Sequence, residues 1–303
     1  MNNVSINRRE PRSPGQQISA AWERFFFAPQ PTSTLALLRV WFGLLALGWT
    51  VTLAPDLGSF FSTTGILPAQ PGGSGVWGVL GLFHNDTAVG LLFVAMLLAC
   101  LALVAGYHTR LAAVIVFVGI LSFERRNPYV FNSGDGLVRL IAFYLMLAPA
   151  GAALSVDRLR AERDRFWEFP ARAPWALRLI QIQLSVVYLS TLWLKLRGVT
   201  WNNGTAVSYA QRLTDLERFP LPQFVFHSAM ISNLLTYGTL LLEASLPILI
   251  WNRRLRPYVA IAGITLHVAI AYSIRVGFFS IAMITLYLSC LLYTSDAADD
   301  LTR

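Results

Sequence analysis

The sequence predicts an all-α fold, a polytopic helical membrane bundle with about eight transmembrane helices. Three observations carry that prediction. Hydrophobic residues make up 55% of the chain and charged ones only 13%, more apolar surface than one soluble core of this length covers. The apolar residues fall into eight separated runs, and the charge collects in the short connections between them. The net charge of +8 therefore reads as membrane orientation and not as a nucleic-acid surface, which would gather its arginines on one soluble face.

Residues 1–30 hold Arg8, Arg9 and Arg12, interrupted by Glu10, Pro11 and Pro14 and followed by Gln16 and Gln17. That segment lacks the compact apolar stretch and cleavage site of a removable signal, so it reads as a cytoplasmic N-terminal segment. The spans themselves cover roughly 35–54, 88–106, 108–123, 136–153, 177–195, 233–251, 257–274 and 276–289. A helix needs about 20 apolar residues to cross, because lipid offers the backbone no hydrogen-bond partner. The third and eighth runs are short for that task, and the orientation of every later span depends on the third crossing.

With the N-terminus inside, thirteen arginines (8, 9, 12, 24, 110, 158, 160, 163, 165, 172, 253, 254 and 256) fall on the inner side, against six (125, 126, 197, 212, 218 and 275) outside. The positive-inside rule selects that arrangement. Arg39 and Arg139, near span ends, are expected to extend towards the inner and outer interfaces. Arginine in place of lysine almost throughout suits a GC-rich bacterial genome, so the expected location is a bacterial inner membrane.

Cys100 and Cys290 define no disulfide framework. The Asn85 and Asn203 sequons carry no weight in a bacterium. Residues 290–299, Cys-Leu-Leu-Tyr-Thr-Ser-Asp-Ala-Ala-Asp, agree with ten consecutive codons of a transposase adapter used in sequencing libraries. The expected division is thus 1–30, a membrane domain 31–289 cut in its last helix, and an adapter-derived 290–303.

Against the apolar background the polar residues stand out. Lys195 is the single lysine among 24 basic residues, and it closes the apolar run 184–194. A lysine in apolar surroundings can give up its proton where an arginine cannot, which makes Lys195 the candidate base. At 3.6 residues per turn Gln181, Tyr188, Thr191 and Lys195 share one helical face. The plainer reading is a lysine snorkelling to the interface. Its apolar neighbours Leu192, Trp193 and Leu196 are expected to shelter it.

Glu243 and His267 lie at mid-membrane depth, where an unpaired charge costs about 3 kcal/mol or more. Glu243 should therefore be protonated or paired, with His267 or an arginine as partner. Helix-to-helix pairing and proton handling are both open. Asn132-Ser133-Gly134-Asp135 reads as the cap of the fourth span, with a ligand role for Asn132 and Asp135 compatible with capping. Arg139 could bind an anionic group near Lys195. The loop Gly65-Ile66-Leu67-Pro68 and the glycine-rich stretch from Pro71 to Gly81 form an outer connection. No phosphate-cradling loop and no metal-spaced cluster occurs, and no metal is expected.

Leu38-Arg39 with Gly43, Gly65 to Pro68, Asn127-Pro128 through Asp135, Ser155-Val156-Asp157, Tyr188 through Lys195 with Trp201 and Gly204, Glu243, and His267 followed by Gly277-Phe278-Phe279-Ser280 come in an order and spacing that resembles the HTTM family. That family shares its membrane domain with vitamin K-dependent gamma-carboxylase. The resemblance implies a quinol-dependent, gamma-carboxylase-like enzyme with an outward-facing pocket, in which Lys195 occupies the place of a base that deprotonates a reduced, vitamin K-like quinone. Tyr188 and Trp201 would be pocket walls, with Asn132, Asp135 and Arg139 near the polar head.

Where the animal enzyme has an Asn-His pair this chain has Asn132-Ser133, and its Lys195–Trp201 connection is about one residue longer. The implied partners are the lipid bilayer and a hydrophobic small molecule, with no nucleic acid and no identified protein partner. Two other functional readings stand beside this one. One is a proton-coupled small-solute or lipid transporter using Glu243 and His267. The other is a non-catalytic membrane partner whose polar residues only join helices.

Overall fold

The computed structural model describes residues 13–68 and 78–291. Arg8, Arg9, Arg12, most of the glycine-rich stretch and the tail from 292 onward lie outside the described residues. Each apolar run forms a helix. In chain order the long helices are α1 (Pro14–Phe27), α2 (Ser33–Thr52), α3 (Asp86–Ala105), α4 (Thr109–Arg126), α5 (Ser133–Leu147), α6 (Trp175–Lys195), α7 (Ala229–Leu249), α8 (Arg256–Ser273) and α9 (Phe279–Leu291). Of these, α2, α3 and α6 are long and apolar enough to cross a membrane.

The helix ends follow local chemistry. Ser13 and Gln16 form a capping box ahead of α1, with Pro14 in its first turn, where a missing N–H costs nothing. The segment read from sequence as 1–30 thus holds a helix over Pro14–Phe27, with Pro14 and Gln16 as its start signals. Asn85 caps α3 by accepting from the Ala88 N–H at 2.8 Å, so the sequon asparagine is a helix cap. Ser228 caps α7 in the same manner.

The four helices α2 to α5 pack in sequence, α6 packs on α7 and α7 on α8, and α9 touches α2, α5, α6 and α8. The shortest apolar run is thus the axis of the bundle. Ser280, Ala282, Met283, Thr285, Leu286, Tyr287, Ser289 and Cys290 of α9 are all buried. Small and hydroxylated residues there let neighbouring backbones approach closely. Large apolar side chains such as Leu44, Leu91, Leu98, Leu189, Leu234, Leu241 and Ile261 point outward instead, as a lipid-facing belt requires.

The connections alternate between two ends. At one end Arg39 is fully buried and donates to the carbonyls of Ala150 (3.1 Å), Ala153 (3.2 Å) and Leu154 (2.6 Å). It does not extend to an interface; its charge is solvated by backbone. Gly106 ends α3 at φ 70°, where a Cβ would run into Ser155 and Arg39, so glycine is required. A two-stranded antiparallel pair, β1 (Gln30–Pro31) and β2 (Ala171–Arg172), ties the starts of α2 and α6 together.

At the other end Asn127 Nδ2 donates to the Phe60 carbonyl at 3.0 Å, and Trp49 Nε1 donates to Asp135 Oδ1 at 2.9 Å. Because Thr109 sits at the first end and Asn127 at the second, α4 runs the full length of the bundle despite its modest apolar stretch.

Candidate functional site

Lys195 closes α6, but it does not extend away from the bundle. Its Nζ donates to Glu243 Oε1 on α7 and lies 4.6 Å from the centroid of the Trp201 ring. The side chain keeps 23% of its exposure and that of Glu243 6%. The sequence neighbours expected to shelter the amine do not: Trp193 is 60% exposed and Leu196 50%. Shelter comes from another helix and from the segment after α6. Ser232 Oγ donates to the Gly204 carbonyl at 3.1 Å and Tyr237 Oη to the Asn202 carbonyl at 2.8 Å, which holds the Trp201 turn against α7. A carboxylate and an aromatic face both stabilise an ammonium, so the resting form of this group is an ion pair.

Seven residues earlier on the same face, Tyr188 is buried and its hydroxyl meets His267 Nε2 of α8 at 2.8 Å and the Tyr287 hydroxyl of α9. The ring of His267 stands edge-on to Phe279, centroids 5.4 Å apart. Gly263, one turn before His267, faces Tyr287 so closely that a Cβ would overlap the phenol. Tyr188 and Lys195 lie two turns apart on one face of α6, which sets the ion pair and the buried hydroxyls along the same side of that helix. Lys195, Tyr188, Trp201, Glu243 and His267, noted as separate features of the sequence, therefore form one cluster built from α6, α7, α8 and α9. Within it, Glu243 Oε2 and His267 Nδ1 are buried and have no hydrogen-bond partner among the described residues.

The fourth span's opening forms a second group. Asn132 and Asp135 make a reciprocal capping box for α5. Asp135 Oδ2 accepts from the Asn132 N–H at 2.7 Å while its other oxygen takes Trp49. Trp49 stacks on Phe131, and these residues line a cleft with Phe60, Phe61 and Phe278. Gly134 lies against the Phe279 backbone, where any Cβ would collide, so this group reaches the first through the edge of Phe279. Arg139 is committed elsewhere, paired with the buried Glu124.

Tyr287, Glu124 and Trp49 were not singled out from sequence. Their signal is a hydroxyl, a carboxylate or an indole N–H inside an apolar run, each of which must find a buried partner.

The family model of the HTTM domain matches residues 77–296, which takes in every residue of the Lys195 cluster and leaves α2 outside. No curated protein and no solved structure compared with the chain matches it. The similarity to the gamma-carboxylase membrane domain read from the sequence is a general property of the matched family. With its helices, its membrane-spanning hydropathy and well over half its length covered by that match, the chain is a membrane protein and belongs to the HTTM family.

Proposed function

We propose that this HTTM protein is an eight-span protein of a bacterial inner membrane, N-terminus inside, that binds a hydrophobic phenolic ligand of the reduced-quinone type and removes a proton from it. The observation that carries the proposal is the cluster itself: an amine–carboxylate pair beside two buried polar atoms that have no hydrogen-bond partner among the described residues, Glu243 Oε2 and His267 Nδ1. A hydroquinone hydroxyl both donates and accepts, so it suits an acceptor oxygen or either tautomer of the imidazole.

The residues account for the proton. Moving one proton from Lys195 to Glu243 turns the ion pair into a neutral amine and a carboxylic acid with no change of net charge, and a low-dielectric site penalises the neutral form least. The Lys195 nitrogen then takes the hydroxyl proton, the O–H electron pair stays on oxygen, and the new ammonium lies against the Trp201 face. Tyr188 orients His267 by filling its Nε2 side, and Tyr287 holds the Tyr188 hydroxyl in place. A quinol would supply the oxidisable ring. Asn132 and Asp135, spent on the helix cap and on Trp49, hold the aromatic cleft in shape, and the histidine of the carboxylase Asn-His pair is absent. The activity proposed is therefore proton removal and quinol chemistry, with carboxylation not included.

The test is direct titration of purified protein in nanodiscs with short-chain quinols, with their two-electron oxidation by dissolved oxygen, supplied as the electron acceptor, followed in parallel. Wild type should bind. Lys195→Arg should bind within about threefold of it and lose turnover, because arginine keeps the charge but does not yield its proton. Absence of quinol binding to wild type, together with solute uptake driven by a pH gradient in proteoliposomes, would replace this reading with the transporter. Since Lys195 and Glu243 are one pair, substituting either disturbs both, and only the ligand measurement separates the two readings.

A further inference from the structure

The helix α1 is amphipathic, and the bundle covers only part of its apolar side. At 3.6 residues per turn Ile18, Trp22, Phe25 and Phe26 fall on one face, while Gln16, Gln17, Glu23 and Arg24 fall on the other. Phe27, at the last position, is the one large apolar residue of this helix off the stripe.

The end of the stripe is held by the protein. The Phe25 carbonyl accepts from Arg178 Nε of α6 at 3.1 Å, and the Phe25 ring centroid lies 4.6 Å from the same guanidinium and 5.6 Å from the Trp251 ring. Phe26 is buried. Arg178 also donates to Gln181 Oε1 at 3.0 Å, and Gln181 Nε2 donates to the Ser289 carbonyl of α9 at 2.7 Å. A chain of hydrogen bonds thus fixes this end of α1 to the bundle axis. One and two turns earlier on the stripe the cover stops: Trp22 is 61% exposed and Ile18 72%.

The position of α1 says what meets that face. Five residues, 28–32, separate it from the spanning helix α2, so its end lies within about 17 Å of chain from the start of a membrane crossing. With 14 residues it is about 21 Å long, short of the roughly 30 Å hydrocarbon core, and its polar side bars it from spanning.

We propose that α1 lies in the plane of the membrane and sinks its Ile18–Trp22 face into the headgroup–acyl boundary of the leaflet at that end of the bundle. The stripe that packs on α6 then continues without a break onto lipid. Tryptophan is enriched at this depth. Four arginines against two glutamates in residues 1–30 add attraction to acidic headgroups, which line the inner leaflet in the proposed orientation. Two exposed side chains of this size offer on the order of 300 Å², against about 800 Å² per partner in a specific protein interface, which favours lipid over a second copy. The face lies at the opposite end of α6 from Lys195, so the proposal does not depend on the quinol reading.

The test places single nitroxide labels on the whole protein lacking Cys100 and Cys290, in nanodiscs of mixed phosphatidylglycerol and phosphatidylcholine. The labels enter through Ile18→Cys, Trp22→Cys, Gln16→Cys and Glu23→Cys in turn; all four positions are exposed, so the fold tolerates them. Labels at 18 and 22 should be relaxed by oxygen at least about threefold more than by a water-soluble nickel chelate, at a depth of about 5–10 Å. Labels at 16 and 23 should show the reverse preference.

Chelate access at 18 and 22 equal to that at 16 and 23 would mean a helix in water and would overturn the proposal. Shelter of 18 and 22 from both reagents would mean that a second copy or another protein segment covers the face, and would overturn it equally. Depth is read from the nearest headgroups, so the result stands apart from the side on which the N-terminus lies and from quinol binding.

Discussion

At the end of a spanning helix a lysine can carry its ammonium out to the headgroups along its four-carbon stem; Lys195 turns instead to a carboxylate on the next long helix. That choice makes the pair sensitive to loss of either member. Glu243→Gln leaves the ammonium half-sheltered and unmatched, which should cost about 2–3 kcal/mol, below the fully buried case because Lys195 keeps some solvent contact. The double variant Lys195→Met, Glu243→Gln should recover most of that loss while abolishing turnover. Thermal unfolding in detergent beside the quinol assay checks both, and a double variant less stable than Glu243→Gln would refute the pairing argument.

Gly263→Ala should cost about 1–3 kcal/mol by overpacking against Tyr287, and much less in a Tyr287→Leu background. Equal costs in the two backgrounds would mean that the close approach does not hold.

At the scale of elements, the first turn of α4 is completed from outside it. Asp157 accepts from the N–H groups of His108 (2.7 Å) and Thr109 (2.8 Å) and from the Thr109 hydroxyl (2.8 Å). Burial alone would raise that carboxyl, but the hydrogen bonds from Thr109 and His108 outweigh it and hold Asp157 below the usual carboxylate range. A depressed folded-state value means the contribution is present in full above the unfolded value of about 4 and fades as pH falls through the folded one. Asp157→Asn should therefore cost about 1–2 kcal/mol at neutral pH. It should also remove part of the acid-side loss of melting temperature; parallel profiles for variant and wild type would contradict this role.

Elements were the most legible level of the sequence. Hydropathy located the eight apolar helices, although the fourth, read to 153, ends at Leu147, because a long apolar run satisfies its backbone most readily as a helix. What it could not show was which helix becomes the axis. Centrality depends on Ser280, Thr285 and Ser289 being small enough to admit neighbours on every side, whereas run length made α9 look marginal. The cluster was legible as residue types at plausible depth, but not as a pairing. Glu243 was expected to meet His267 or an arginine, and it meets the lysine 48 positions away in sequence, a juxtaposition fixed only by how α6 crosses α7.

For the whole molecule, the contacts that set Arg39, Gly106 and Asp157 at one end and Trp49, Asn127 and Asp135 at the other give every connection a side. If α2 to α9 all cross, single cysteines introduced at 163 and at 212 in a background lacking Cys100 and Cys290 should differ in labelling. Residue 212 should react with a membrane-impermeant maleimide in intact cells, and 163 only after permeabilisation. Labelling of both from outside would break the eight-span arrangement.

The central position of α9 also bears on how the protein is made. Of the described helices it leaves the ribosome last, yet it is the element against which α2, α5, α6 and α8 all rest. Until it arrives, the Tyr287 hydroxyl that meets Tyr188 is missing, and the earlier helices must wait in the bilayer as two loosely joined groups. Membrane insertion and final assembly are thus separate events, and a quality-control protease has its opening in the interval between them.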